Sequence, residues 1–212
     1  MPRIVIADDH EVVRRGVRAI LESKPGYDVV GEAADGIAVV KLALETKPDV
    51  ALLDFSMPLL NGLEATRRIR QGSPKTEVLI FTMHDSETVI REVLEAGARG
   101  YLLKTDADMQ LISAVKALSQ HRPFFSSCVS ETLLGDYLGK HARRTASGAL
   151  TPREREIVQL IAEGNSNKLI GRHLELSVKT VETHRAAAMR KLGASSTADL
   201  VRYAIRNHIV AA

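Results

Sequence analysis

The chain has 212 residues, 45% of them hydrophobic and 26% charged, which is enough for a sizeable core and argues against a disordered protein. A single cysteine, Cys128, rules out a disulfide framework or a thiolate metal cluster, and no apolar run spans a bilayer or resembles a signal peptide. The net charge of +3 is unevenly spread: residues 1–140 carry 17 Lys+Arg against 20 Asp+Glu, and residues 141–212 carry 12 against 6. A cytoplasmic protein without a membrane partner is expected, with an anionic partner, nucleic acid first, for its C-terminal third. Cys128 reads as a small, semi-buried helix residue.

In chain order, the runs 3–7 (RIVIA), 27–32 (YDVVGE), 49–54 (DVALLD), 77–82 (EVLIFT) and 99–103 (RGYLL) are short and β-branched or leucine-rich. Segments of helical periodicity separate and follow them, at 11–23, 36–46, 62–70, 86–96 and 106–119. Five strand-helix repeats with near-continuous apolar strands predict a doubly wound, five-stranded parallel α/β sheet. After Gln120 the pattern changes. A proline-marked turn and a further helix lead into KHARRTASGA, a basic linker without apolar periodicity. Four helices and no strand follow, at 152–163, 167–173, 178–191 and 196–208. Thr151 and Pro152 open the first as N-cap and first helical residue, and Gly164 and Gly193 stop the first and third.

In an open parallel sheet, ligands bind beyond the carboxyl ends of the strands. Asp8 and Asp9 follow the first strand, Asp54 ends the third, Thr82 ends the fourth and Lys104 follows the fifth, so all five converge on one edge. Adjacent carboxylates repel unless a cation neutralises them, and hard oxygen donors with room for water favour Mg²⁺. A carboxylate beside Mg²⁺, Lys and Thr can attack phosphorus to give an aspartyl phosphate. Singly, an Asp at a strand end is more often a turn residue or cap, a Thr an ordinary β-former and a Lys a solvated charge. Their joint placement sets coincidence aside.

The stretches ADD, LLDFSMPLLNG, FTMH and GYLLK resemble, in order and spacing, the receiver domain of two-component response regulators over residues 1–120. The resemblance implies strand order 2-1-3-4-5 and Asp54 as phosphoacceptor. It implies Mg²⁺ held by Asp8, Asp9, Asp54 and the backbone carbonyl of Ser56. It further implies Lys104 paired with the phosphoryl group, and Thr82 and Tyr101 as the switch pair. Met83, His84 and Asp85 line the loop after Thr82, and His10 reads as a first-turn helix residue, not a metal ligand. Thr105 stands where many receivers have proline.

In SVKTVETHRAAAMRKLG, Val181, His184, Ala188 and Leu192 form one inward stripe, which turns Lys179, Thr183, Ala186, Ala187 and Arg190 outward. That face suits DNA, with cations on phosphates and small side chains against thymine methyls. It equally suits a solvated helix, and periodicity leaves both open. The stretch from LTPREREIV to ADLVRYAI is similar to the LuxR/NarL-type helix-turn-helix over residues 150–206. By that resemblance, residues 167–173 are the scaffold helix and 178–191 the recognition helix in the major groove of double-stranded DNA. Glu182, Thr183 and Ala186 fall at base-reading positions and Lys179, Arg185 and Lys191 are placed for phosphates, with Arg190 among the cations that flank this face. Glu182 has two readings, an acceptor from cytosine N4 or a surface carboxylate paired with Arg185 or Arg190. Leu169 and Gly171 depart from the glutamate and alanine often found there, and Gly171 is expected to loosen the scaffold helix by about 1 kcal/mol.

The domains expected are a receiver at 1–120, a linker helix and linker at 121–149, and a helix-turn-helix domain at 150–212. The function expected is a transcription regulator, not an enzyme, phosphorylated on Asp54 by a sensor histidine kinase and forming a homodimer on activation. Two rivals are a DNA binder with a vestigial receiver, disfavoured by the complete acidic set, and an aspartate-nucleophile phosphohydrolase. The latter usually has an acidic residue two positions after its nucleophile, where Ser56 stands.

Overall fold

The apolar runs become β1 (Arg3–Ala7), β2 (Asp28–Ala33), β3 (Val50–Leu53), β4 (Glu77–Thr82) and β5 (Gly100–Leu103). Between and after them lie α1 (Glu11–Glu22), α2 (Gly36–Thr46), α3 (Gly62–Gly72), α4 (Glu87–Glu95) and α5 (Ala107–Ser119). The structure is a computed structural model and describes residues 1–126, 129 and 150–210, with the backbone alone at Asp108. Cys128 and nearly all of the linker lie outside the described residues.

The sheet has six strands, one more than expected, because Phe124–Phe125 adds a two-residue β6 beside β5. The Phe124 amide donates to the Arg99 carbonyl at 3.0 Å and the Ser126 amide to the Tyr101 carbonyl at 3.1 Å. A run of two residues is too short for alternation to reveal; only the return of the chain after α5 creates the pairing.

All pairings are parallel and the order is β2-β1-β3-β4-β5-β6. The winding therefore reverses between β1 and β3, and a crevice opens beyond their carboxyl ends. Register pairs Ala7 with Leu53, and the Asp54 amide donates to the Ala7 carbonyl at 2.7 Å. Asp54 is thus the first residue past β3 and not, as the apolar run 49–54 predicts, its last. On one face Ile4, Ile6, Leu52, Leu79, Phe81 and Leu102 pack against Val17 and Leu21 of α1 and Leu111, Val115 and Leu118 of α5. Helices α2 and α3 contact the sheet, and α4 packs beside α3. Each fully buried aliphatic side chain contributes roughly 1.5–3 kcal/mol, so the sheet is a rigid mount for what projects from its edge.

The second compact unit holds α6 (Pro152–Ala162), α7 (Asn167–His173), α8 (Val178–Leu192) and α9 (Thr197–Arg206). Thr151 caps α6 in a reciprocal capping box with Glu154, and Gly193 ends α8 at φ +62°. Its core joins Ile157, Leu160, Ile170, Val181, Ala188 and Leu200. Buried Gly171 has a role the sequence reading missed: a Cβ there would lie 2.8 Å from the Leu176 carbonyl oxygen. Glycine lets the turn between α7 and α8 close tightly, and the Leu176 amide donates to the Gly171 carbonyl at 2.8 Å.

Candidate functional site: an acidic crevice and an exposed helix

At the winding reversal, ligand atoms of Asp8, Asp9, His10 and Asp54 lie within 4.8 Å of one another. Asp8 and Asp54 are buried, and Asp9 is exposed. Lys104 leaves β5 in a single 3₁₀ turn, its peptide bond to Thr105 being trans, and lies across the pair. Its Nζ is 2.7 Å from Asp8 Oδ2 and 3.1 Å from Asp54 Oδ2. Asp8 Oδ2 is buried and charge-compensated by this ammonium, with no other polar partner among the described residues. A buried carboxylate oxygen left in that state, with two more carboxylates alongside, is a donor set that suits a hard divalent cation such as Mg²⁺.

Burial pushes the Asp54 carboxyl up, Lys104 pulls it down and Asp8 pushes it up again, leaving it at about 6. Burial alone would lower Lys104, but Asp8 and Asp54 outweigh it and hold the ammonium above its ordinary range. His10 is the residue just before α1, not in its first turn; its Nδ1 lies 2.7 Å from Asp9 Oδ1 and its amide donates to Asp8 Oδ1 at 2.9 Å.

The expected switch residues meet at one backbone position. Thr82 is fully buried, and its Oγ1 accepts from the His84 amide at 3.1 Å. Tyr101, also fully buried, donates its hydroxyl to the His84 carbonyl at 2.7 Å. The His84 ring lies edge-on to Phe55, with its Nε2 3.0 Å from Ser56 Oγ. Two further participants escaped the sequence reading: His84 as the shared partner, and Gly62, where a Cβ would sit 2.4 Å from the Asp54 carbonyl oxygen. The NG pair that opens α3 carries the second signal; only the fold reveals the first.

On α8, Val181 and Ala188 are fully buried and His184 and Leu192 half-buried, which places the inward stripe as expected. Lys179, Glu182, Thr183, Ala186 and Arg190 are exposed, and Ala187 is half-buried. Among the described residues the side chains of Lys179, Glu182 and Arg190 have no hydrogen-bond or ion-pair partner. Arg185 and Lys191 are engaged within the unit. Arg185 donates to Thr197 Oγ1 of α9 at 2.6 Å and to Asn167 Oδ1 of α7 at 3.4 Å. Lys191 Nζ is 2.7 Å from Oε2 of Glu154 in α6. Burial pushes the Glu154 carboxyl up, but Lys191 and the Thr151 bonds outweigh it and hold it below the usual range.

Comparison with known proteins covers both units. Residues 4–116 match the response regulator receiver domain, and residues 148–204 match the bacterial regulatory proteins of the luxR family. The chain is 39% identical to the transcriptional regulatory protein LiaR of Bacillus subtilis, over 99% of this chain and 100% of LiaR. It is 40% identical to the oxygen regulatory protein NreC of Staphylococcus aureus, over 98% and 99%. Among solved structures it resembles RcsB of Salmonella enterica serovar Typhimurium bound to promoter rprA with the phosphomimetic BeF₃⁻. That match has 30% identity, covers 95% of this chain and 97% of that one, and has a TM-score of 0.63. A LuxR-family response regulator from Aurantimonas matches at 38% identity and TM-score 0.62, covering 65% of this chain and 99% of its own. With a receiver-type crevice in one unit, a helix-turn-helix in the other and relatives matched end to end, the chain belongs to the two-component response regulators of the NarL type, a receiver domain joined to a LuxR-family DNA-binding domain.

Proposed function

We propose that this chain is a phosphorylation-switched DNA-binding transcription regulator and that Asp54 is its phosphoacceptor. The observation that carries the reading is the Lys104 ammonium lying across Asp8 and Asp54 at the winding reversal of the sheet. A carboxylate oxygen of Asp54 attacks the phosphorus of a kinase phosphohistidine. The phosphorus–nitrogen bond breaks, and the electron pair stays on the imidazole, which takes a proton from solvent. Mg²⁺, held by the carboxylates of Asp8, Asp9 and Asp54 and the backbone carbonyl of Ser56, would neutralise charge on the incoming phosphoryl oxygens. Lys104 exchanges its Asp54 contact for a phosphoryl oxygen, and the Thr82 hydroxyl donates to another. Thr82 and Tyr101 share His84, so a shift of Thr82 also disturbs the Tyr101 bond. The resulting change biases the chain toward a homodimer whose α8 helices enter successive major grooves. RcsB dimers bound to DNA, known from a solved structure, support a dimer as the DNA-bound form. LiaR is a transcriptional regulatory protein and NreC an oxygen regulatory protein, and Ser56 stands where phosphohydrolases of this chemistry usually carry a second acid; the chain is a stoichiometric switch in the cytoplasm.

Acetyl phosphate with Mg²⁺ is expected to add one phosphoryl group to the wild-type chain, read by intact mass, and none to Asp54→Asn. DNA affinity should rise in the wild type alone. Labelling of Asp54→Asn would refute the assignment.

A further inference from the structure

The chemistry exposed on α8 specifies which bases it reads. We infer that Glu182, Thr183 and Ala186 make this chain a reader of neighbouring cytosine and thymine, an inference that rests on α8 being the recognition helix.

Glu182 is exposed and, among the described residues, its carboxylate has no partner. Its i−4 and i+4 neighbours, Val178 and Ala186, carry no charge, Lys179 three residues before it forms no ion pair with it, and the guanidinium of Arg185 is turned to Thr197 and Asn167. The carboxylate is therefore not spent on its own helix. It accepts hydrogen bonds and donates none when ionised; in the major groove that matches the N4 amino group of cytosine and opposes the O6 and N7 acceptors of guanine.

Thr183 is a hydroxyl residue by sequence but not by presentation. Its Oγ1 donates to the Lys179 carbonyl at 2.9 Å, which satisfies the proton inside the helix and leaves the Cγ2 methyl as its apolar reading group. Ala186, exposed and three residues on, adds a second methyl to the same side of the helix. Two methyl groups on a helix face fit the C5-methyl of thymine. From residue 182 to residue 186 the helix rises about 6 Å, close to two base-pair steps. The cytosine and thymine thus fall within a step or two of each other. Lys179 and Arg190, outward and without a side-chain partner among the described residues, supply the sequence-independent hold on phosphates.

The test uses the full-length chain, treated with acetyl phosphate and Mg²⁺, to select from a pool of randomised duplexes. The wild type is expected to enrich half-sites containing adjacent cytosine and thymine. Glu182→Ala should lower the preference for that cytosine about ten-fold without changing the fold by circular dichroism. Replacing the thymine with deoxyuridine, which removes only the methyl, should cost the wild type several-fold in affinity. Thr183→Val, which keeps a methyl, should retain the thymine preference, and Thr183→Ser, which keeps only the hydroxyl, should weaken it to what Ala186 alone supplies. The reverse order for Val and Ser, or a cytosine preference unchanged in Glu182→Ala, overturns the base assignment. If Lys179→Ala and Arg190→Ala still weaken binding in that case, the recognition helix stands and only its code is wrong. If neither weakens binding, α8 is not the DNA-facing helix, and both readings fall.

Discussion

Asp54 is 4% exposed, and its environment decides how it titrates. Between the ordinary carboxylate value of 3.8 and about 6, the folded chain keeps a proton on Asp54 that the unfolded chain has lost. The folded state binds more protons in this window, so the Asp54 contribution to stability is largest below it and is lost as pH rises through about 6. With a desolvated, like-charged pair only partly offset by Lys104, Asp54→Asn is expected to stabilise the metal-free chain at pH 7 by roughly 1–3 kcal/mol. The gain should largely vanish at about pH 3, below the ordinary carboxylate value, where Asp54 is mostly protonated in the folded and the unfolded state. Urea titrations in the presence of a chelator at the two pH values measure it, and an equal gain at both would place the origin elsewhere. Mg²⁺ should raise wild-type stability more than that of the variant, since it binds the folded carboxylates.

Helix α3 begins on Gly62, whose amide donates to the Phe55 carbonyl at 2.8 Å and whose missing side chain lets the helix start against the backbone of Asp54. Gly62→Ala must push that backbone by a substantial fraction of an ångström. The expected result is a loss of roughly 1–3 kcal/mol and slower phosphoryl uptake from acetyl phosphate, with thermal unfolding and labelling rate as readouts. An alanine variant with wild-type labelling and stability would show that the loop yields freely. At this scale the sequence was readable wherever burial imposed a pattern. β3 reads as VALL because all four residues are buried, and α8 shows its stripe because one side packs on the other helices. The acidic crevice was readable too, since strand ends fix where Asp8, Asp54 and Lys104 project. What stayed hidden depends on contacts between distant residues: β6, made by proximity; His84, joined through its backbone; and Gly171, whose value lies in the Leu176 carbonyl beside it. The binding of Arg185 to Thr197 likewise leaves no periodic trace, since the two lie on different helices.

The whole chain divides its charge between its two parts, and the basic part is not uniformly available to DNA. Arg190 has no partner among the described residues, whereas Lys191 neutralises buried Glu154. Arg190→Ala is expected to flatten the salt dependence of DNA binding by about one unit of slope, the release of about one counterion. Lys191→Ala should leave the slope unchanged and instead cost about 1–2 kcal/mol of stability, because the carboxylate of Glu154 is left buried without its ammonium. Salt titrations of binding and urea unfolding separate the two, and a flattened slope for Lys191→Ala would mean that the lysine leaves Glu154 for a phosphate. The bond from Tyr101 to the His84 carbonyl has a last consequence, an optical one. The chain contains no tryptophan and four tyrosines, so phenols dominate its near-ultraviolet absorption and its emission. One of them is fully enclosed and hydrogen-bonded to the residue that Thr82 also holds. Any rearrangement of that residue is written directly into the tyrosine spectrum, which gives the receiver a native reporter of its own state without a dye or an added fluorophore.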